Sequence, residues 1–138
     1  MFDERIIEDL FDKVQAAPSL NCNGRTIAAI VCKGYPIITG LNCCKSHPVQ
    51  LQYSRRPKDS WMHAEVAAYV KARRIITVRD FQQADLYVIR KRSNPSTGSI
   101  EMCMARPCEN GCDRMVRQVG FRNVFYSDQS GGIQLLRT

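Results

Sequence analysis

Two short motifs far apart in the chain constrain its fold more than any other feature. His63-Ala64-Glu65 comes first, and Pro107-Cys108 with Cys112 follows much later. An imidazole and two thiolates are ligands that Zn²⁺ prefers, and three protein ligands leave the fourth corner of a tetrahedral site open for water. A carboxylate beside such a site can move protons to and from that water. A fold that uses both motifs must bring them to one point, and the pattern predicts hydrolytic chemistry there.

Both motifs fall where helices are predicted to begin. A helix is expected from about His63 to Arg74, and another from about Pro107 to Gly120, since proline suits a first helical turn and glycine suits a C-terminal cap. Backbone N–H groups at a helix N-terminus lower the pKa of a cysteine, which favours the thiolate that a metal needs. Cys108 and Cys112 stand at i and i+4, so they are expected to share one helix face.

The length and composition fit one globular domain. The 138 residues suit a single domain over residues 1–138, with 44% hydrophobic and 24% charged residues, and no repeat or linker divides them. No apolar run approaches the roughly 20 residues needed to span a bilayer, and the acidic N-terminus lacks the order of a signal peptide. We therefore expect a cytoplasmic protein with no membrane partner, whose seven cysteines are thiols or thiolates.

Helical and strand patterns alternate along the chain, which predicts an α/β domain around one sheet. Apolar residues at helical spacing predict a first helix over residues 3–16. Residues 42–60 look irregular. Strands are expected at residues 25–32, 35–41, 85–90, 100–104, 123–126 and 133–136.

The chain is basic, with 20 Lys and Arg against 13 Asp and Glu and a net charge of +7. Such a charge attracts phosphate, on a nucleotide or on a nucleic acid, but it also serves solubility alone, so both interpretations stay open. Arg106, directly before the second motif, is a candidate phosphate contact. The basic residues form short groups, among them Arg55-Arg56-Lys58, Lys71-Arg73-Arg74, Arg90-Lys91-Arg92 and Arg114 with Arg117.

The order H-x-E … P-C resembles the signature of the zinc-dependent cytidine and deoxycytidylate deaminase superfamily. The predicted hairpin, Gly40-Leu41-Asn42, the Leu86-Tyr87-Val88 strand and the exit Gly120-Phe121-Arg122-Asn123-Val124 also follow the order of that family. In its overall sequence pattern the chain is similar to short deoxycytidylate deaminases, including those carried by viruses. The resemblance implies a three-layer α/β/α fold with a five-stranded mixed sheet.

The resemblance also implies a role for particular residues. The implied ligands of one catalytic Zn²⁺ per chain are His63, Cys108 and Cys112. Glu65 would carry protons between water, the substrate ring and the leaving amine, while Asn42 and Ala64 would contact the substrate. The implied reaction is hydrolytic deamination of a cytosine nucleotide, with deoxycytidine monophosphate (dCMP) as the leading substrate. Deaminases of this type commonly form homo-oligomers, which we expect here too.

Two features depart from the pattern of the superfamily. Its cysteines are most often spaced C-x-x-C, whereas this chain has C-x-x-x-C, and Cys103 is a rival to Cys112 as a ligand. Many relatives pass directly from the Leu-Tyr-Val strand into Pro-Cys. Here a stretch that includes Arg90-Lys91-Arg92 and Asn94-Pro95 intervenes, which leaves the subfamily and the substrate open.

Alternatives of different kinds also stay open. The deaminase could act on cytosine or adenine in a polynucleotide, which the charge would suit, or on another free nucleoside or base. A closed zinc site would instead indicate a non-catalytic binding module, although such a site has no need of Glu65. Cys43, Cys44 and His47 could supply its fourth ligand or form a second metal site, but ordinary loop or core residues are the favoured interpretation.

Overall fold

The computed structural model of the chain describes residues 2–18, 24–43, 45, 47–53, 62–94, 96–108 and 111–136. Over these residues the chain forms an α/β fold with one mixed sheet. No helix in this part of the chain is both long and apolar enough to cross a membrane.

The first helix, α1, spans Glu4–Ala16 and matches the prediction from helical periodicity. Asp3 caps its N-terminus, because the carboxylate accepts a hydrogen bond from the backbone N–H of Arg5. Ala17 is extended, as a residue before proline prefers to be, and the helix ends there. The buried apolar positions of α1 are Ile6, Ile7, Leu10 and Val14.

Among the described residues the sheet has six strands. The strand patterns predicted six, whereas the resemblance implied five. They are β1 (Arg25–Cys32), β2 (Tyr35–Leu41), β3 (Asp85–Ser93), β4 (Ile100–Cys103), β5 (Asn123–Ser127) and β6 (Ile133–Leu135). The order is β2-β1-β3-β5-β6, with β4 paired to β3. Among these strands β3 and β5 pair in parallel, and the other neighbouring strands pair antiparallel.

β4 lies off the path β2-β1-β3-β5-β6 and pairs with β3 where β3 extends past its predicted end. β3 pairs first with β5 and then, over Arg90–Ser93, with β4. Ser127, fully buried at the end of β5, joins the three strands. Its hydroxyl accepts from Arg90 N at 3.2 Å and donates to Cys103 O at 2.6 Å. The stretch that separates the Leu-Tyr-Val strand from the second motif is therefore a β-hairpin.

Four further helices are described: α2 (Pro48–Tyr53), α3 (Ala64–Ala72), α4 (Val78–Gln82) and α5 (Cys112–Val119). α3 follows His63 as predicted. α5 begins at Cys112 rather than at Pro107, and it ends at Gly120, whose φ of 81° is the left-handed conformation expected of a C-terminal cap. α2 lies inside residues 42–60, which were expected to be irregular, and α4 was not predicted.

Alternate residues of the central strands face opposite sides of the sheet. One set packs on α1 and comprises Ile27, Ala29, Val31, Tyr87, Ile89 and Phe125. The other set packs with α2, α3, α4 and α5 and comprises Ala28, Ile30, Leu86, Val88, Val124 and Tyr126. The two motifs belong to the second side.

Gly40 of β2 lets α3 lie unusually close to the sheet. A Cβ atom at Gly40 would collide with the backbone nitrogen of Ala68 and with atoms of Ala67. Small residues on α3 serve the same end, since Ala64, Ala68 and Ala72 are fully buried. This close contact fixes the position of the first motif relative to the sheet.

Candidate metal centre and active site

Three potential metal-ligand side chains converge at one point on the α3–α5 side of the sheet. His63 is the N-cap residue of α3, Cys108 lies in the segment before α5, and Cys112 is the first residue of α5. Their ligand atoms all lie within 4.8 Å of one another. The Nδ1 atom of His63 is 3.4 Å from the sulfur of Cys108 and 3.1 Å from that of Cys112.

The structure places Cys103, the rival ligand, elsewhere. Cys103 is a buried residue of β4, and its carbonyl oxygen accepts the hydrogen bond from Ser127. Within the described part of the chain it is not among the residues that could share a metal ion with His63. The wider spacing of Cys108 and Cys112 does not separate their sulfur atoms, because Cys108 precedes the helix and its carbonyl oxygen accepts from Asp113 N at 3.0 Å.

His63 is held by its backbone as well as by its ring. Its ring makes no capping bond to α3, and Nδ1 faces the two sulfur atoms instead. Its backbone N–H donates to Oε1 of Gln50 at 3.0 Å, and its carbonyl oxygen accepts from Ala67 N at 3.0 Å. On the other side of the motif, Cys43 N donates to Met62 O, so the end of β2 is tied to the residue before the histidine.

Glu65 lies in the first turn of α3 and is 5% exposed. Burial raises the pKa of this carboxyl, and the nearby charge of His63 acts in the opposite direction. The thiol of Cys112 forms a hydrogen bond with it. A titratable carboxyl is therefore held in contact with the ligand cluster without being one of its members.

The pKa values of the two thiols are shifted in opposite directions. The Cys112 thiol donates a hydrogen bond to the Cys108 sulfur. This hydrogen bond and the one with the His63 ring lower the pKa of Cys108 to about 3, although burial acts in the opposite direction. The same hydrogen bond and near-complete burial raise the pKa of Cys112. The hydrogen bond with Cys108 also raises the pKa of His63.

This donor set fits Zn²⁺. Two sulfur atoms and an imidazole nitrogen lie within 4.8 Å of one another, where a divalent cation would favour both thiolates and balance their charge. The set offers three protein ligands, the number found in catalytic rather than closed structural zinc sites.

The structure describes the surroundings of both residues expected to contact a substrate. Ala64, between His63 and Glu65, is fully buried. Asn42 follows β2, and its Oδ1 accepts hydrogen bonds from Arg25 Nε at 3.0 Å and from Thr26 N at 3.1 Å. Arg25 also donates to the carbonyl oxygen of Asn42. The side chain of Asn42 is therefore fixed, with its oxygen already engaged.

Two further residues that shape this region, Gln50 and Arg25, were not predicted from the sequence. Gln50 is only 1% exposed, although glutamine is seldom buried unless its amide is paired. It stands in a segment rich in turn-forming residues, so no periodic pattern marked it as internal. Arg25 lies at the start of a strand, where an arginine is ordinarily taken for a solvated surface residue.

The residues considered for a second metal site are used locally where they are described. His47 accepts a hydrogen bond from Val49 N through Nδ1 at 3.1 Å, and Cys43 accepts one from Lys45 N at 3.3 Å. Cys44 lies outside the described residues. Across the rest of the described chain, His63, Cys108 and Cys112 form the one group of three residues placed to hold a metal.

The basic residues of the β3–β4 hairpin do not form a uniform surface. Lys91 is 3% exposed, and its ammonium group donates to the carbonyl oxygens of Gln15 and Ala17 at the end of α1. Arg92 is exposed and pairs with Glu101. Arg106, directly before the second motif, is also exposed.

Among solved structures, the chain is similar to a cytidine deaminase from Burkholderia pseudomallei. The match covers 99% of this chain and 92% of that one, with a TM-score of 0.63 and 15% sequence identity. No protein-family model matches the sequence, and no curated protein does either. At this identity the likeness establishes the fold alone, so this chain has a cytidine deaminase-like α/β fold that carries a His/Cys/Cys cluster.

Proposed function

We propose that this chain is a zinc-dependent enzyme that deaminates a cytosine nucleotide, with dCMP converted to dUMP and ammonia as its principal reaction. The observation that carries the proposal is the contact of a buried carboxyl, Glu65, with a three-ligand cluster on a cytidine deaminase-like fold. A purely structural zinc site needs a fourth protein ligand and no additional carboxyl group. A non-catalytic binding module explains neither feature.

His63, Cys108 and Cys112 would hold one Zn²⁺ per chain. Zinc held in this way supplies Lewis-acid activation of a water molecule near neutral pH. The backbone contacts of His63 and the carbonyl contact between Cys108 and Asp113 hold the donors in place before any ligand arrives. These three residues would leave a bound Zn²⁺ accessible to a reactant.

Glu65 would move the protons. In the net reaction a C–O bond forms at the carbon that bears the exocyclic amine, the C–N bond breaks, and ammonia leaves. The carboxylate takes a proton from the attacking water, delivers it to the adjacent ring nitrogen, and transfers another to the departing amine. Its burial on the first turn of α3 keeps bulk water away from this proton transfer.

Asn42 and Ala64 would contact the substrate. Since Oδ1 of Asn42 already accepts two hydrogen bonds, its amide N–H groups are the part of the side chain that suits a new partner. The partner would be an acceptor, such as a sugar hydroxyl oxygen or a base carbonyl. Ala64 lies between His63 and Glu65, where its backbone would face the base.

The phosphate of the substrate would meet Arg106, which is exposed directly before Pro107-Cys108. Arg106→Ala should raise KM for dCMP by about tenfold or more and change that for deoxycytidine little, because a charge-assisted hydrogen bond is lost only with the nucleotide. Arg74→Ala is the matched control. This exposed arginine lies just beyond the far end of α3, a helix that is itself roughly 14 Å long. Equal effects on both substrates would exclude the phosphate contact.

Deamination within single-stranded nucleic acid is the second candidate. The net charge of +7 and the exposed Arg92, Arg106 and Arg114 favour it. Such an enzyme needs an open basic groove that follows the nucleic acid backbone. Activity on a cytosine-rich oligonucleotide that exceeds activity on dCMP would select this candidate over the first.

We further propose that the chain forms homo-oligomers. Ile75, between α3 and α4, and Val78, the first residue of α4, are 61% and 73% exposed, which is high for branched apolar side chains. Light scattering of the purified protein tests this. A monomer at micromolar concentration would contradict it.

The decisive experiment measures ammonia release from dCMP, dCTP, cytidine, guanine, adenosine and a cytosine-rich oligonucleotide. Glu65→Ala should lower turnover by about 10²- to 10⁴-fold, because the proton carrier is lost while the ligands remain. The variant should keep about one zinc per chain. Loss of zinc together with activity would contradict the division of roles, and no release from any substrate would overturn the function.

A further inference from the structure

Gln50 is a buried side chain outside both motifs that contacts the backbone of a proposed metal ligand. It belongs to α2 and is 1% exposed. Its Oε1 accepts the backbone N–H of His63 at 3.0 Å. The two residues are 13 positions apart and belong to different elements, so this contact depends on the tertiary fold.

The contact fixes a part of His63 that the helix itself leaves free. His63 is the N-cap residue of α3, with extended backbone angles of −80° and 160°. The N–H of such a residue has no partner within its own helix. Since the ring faces the sulfur atoms and does not cap α3, a partner from outside holds the backbone, and that partner is Gln50.

α2 is also anchored to α5, the helix that begins with Cys112. Arg114, on α5 just after Cys112, donates from its guanidinium to Tyr53 O at the end of α2, at 3.0 Å. At the start of α2 the His47 ring accepts from Val49 N. The short helix therefore links the start of α3, which follows His63, to the start of α5, which begins with Cys112.

We propose that Gln50 is a positioning residue of the metal centre, which sets the orientation of the His63 imidazole by accepting the His63 N–H. This inference rests on the proposed function insofar as the cluster binds zinc. Hydrogen-bond partners outside the ligand shell commonly change metal affinity by about 10- to 100-fold when they are removed. Gln50 differs from the usual partner in acting on the backbone of the ligand rather than on its ring.

The test compares three full-length variants. Gln50→Met keeps the length of the side chain and removes the acceptor, and Gln50→Glu keeps an oxygen at the acceptor position. Val49→Ala is the matched control, because Val49 is a buried neighbour on the same helix with an apolar side chain. Zinc affinity is measured by competition with a chromophoric chelator, thermal unfolding of the metal-free protein reports stability, and the visible spectrum of the Co²⁺ form reports ligand geometry.

Gln50→Met should bind zinc about 10- to 100-fold more weakly than the wild type and show an altered Co²⁺ spectrum. Val49→Ala should lose stability but keep the affinity and the spectrum, and Gln50→Glu should restore most of the affinity. An affinity loss in Gln50→Met no larger than in Val49→Ala would overturn the inference. If Gln50→Met does not fold, Gln50→Glu decides: zinc binding weaker than that of Val49→Ala overturns the inference, and binding at the wild-type level supports it.

The outcomes separate this inference from the proposed function. A chain that shows the expected affinity pattern but releases no ammonia would retain Gln50 as a positioning residue and lose the deaminase activity. An active enzyme whose zinc affinity is unchanged in Gln50→Met would retain the deaminase activity and overturn the role of Gln50 as a positioning residue. A wild-type chain that binds no zinc would overturn both.

Discussion

The two sides of the sheet differ in the size of the side chains that pack against their helices. The side that faces α1 is filled by large side chains, such as Ile27, Tyr87 and Phe125, and within the described part of the chain α1 covers it. The side that faces α3 and α5 uses small residues at the closest contact, Gly40 against Ala67 and Ala68. Large side chains hold a helix at a distance, whereas small ones let its backbone approach. The starts of α3 and α5, on the second side, are therefore close enough for the side chains there to hold one metal ion.

The largest effects are expected from substitutions of buried core residues. A cavity on either side of the sheet should lower stability, but only one on the α3–α5 side should also weaken zinc binding. Leu10 on α1 and Met115 on α5 are both fully buried. Leu10→Ala and Met115→Ala should each lower the free energy of unfolding by about 2–5 kcal/mol, because each leaves a cavity. Met115 lies on the helix of Cys112, so only its variant should also weaken zinc binding. Chemical denaturation and chelator competition check the two quantities, and weakened zinc binding in Leu10→Ala would break the comparison.

Gly40→Ala tests the close approach directly. The new Cβ would force α3 away from β2, which should cost about 1–3 kcal/mol and move His63 relative to the thiols. Gly34→Ala in the β1–β2 turn is the control. Its φ of 81° makes the change strained, but no atom lies near the new Cβ. Zinc affinity should fall in Gly40→Ala alone, and an equal change in both variants would show that approach distance does not matter.

Lys91→Met tests whether the α1 side can be weakened without affecting the site. The change removes the ammonium group that caps the last carbonyl oxygens of α1, which should cost about 1–3 kcal/mol. Arg92→Met, on the same strand, removes an exposed charge and an exposed ion pair and should cost at most about 1 kcal/mol. Turnover per folded molecule should stay unchanged in both. A fall in turnover in Lys91→Met would mean that the two sides are coupled through β3.

The smallest expected effect concerns Asp128, which follows β5 near the edge of the sheet and belongs to neither of the two helix-covered sides. Hydrogen bonds from the Gln134 amide and from Ser130 lower the pKa of Asp128 to about 2. A carboxylate with a depressed pKa stabilises the fold above its ordinary pKa of about 4, and this contribution is lost as the pH falls toward 2. Asp128→Asn should therefore melt slightly below the wild type at pH 6, with the difference shrinking toward pH 2. A constant difference in melting temperature across that range would exclude this carboxylate as the cause.

Local patterns predicted the elements whose signals are local. The apolar spacing of α1, the glycine that ends α5 and the six strands were all confirmed. The five-stranded sheet implied by resemblance was wrong, because the residues between β3 and the second motif form an additional pairing. α2 was missed, since a six-residue helix has no stability of its own and forms only against α3 and α5.

The chemical character of the site was decided by sequence. An imidazole, a carboxyl and two thiols at helix starts restrict the chemistry of His63, Glu65, Cys108 and Cys112 whatever the rest of the chain does, because side-chain chemistry belongs to the residue. Tertiary structure alone decided that Cys112 rather than Cys103 faces His63, that Lys91 is internal and that Gln50 holds the His63 backbone. These contacts join residues far apart in sequence, and no local periodicity records which distant elements a fold will place side by side.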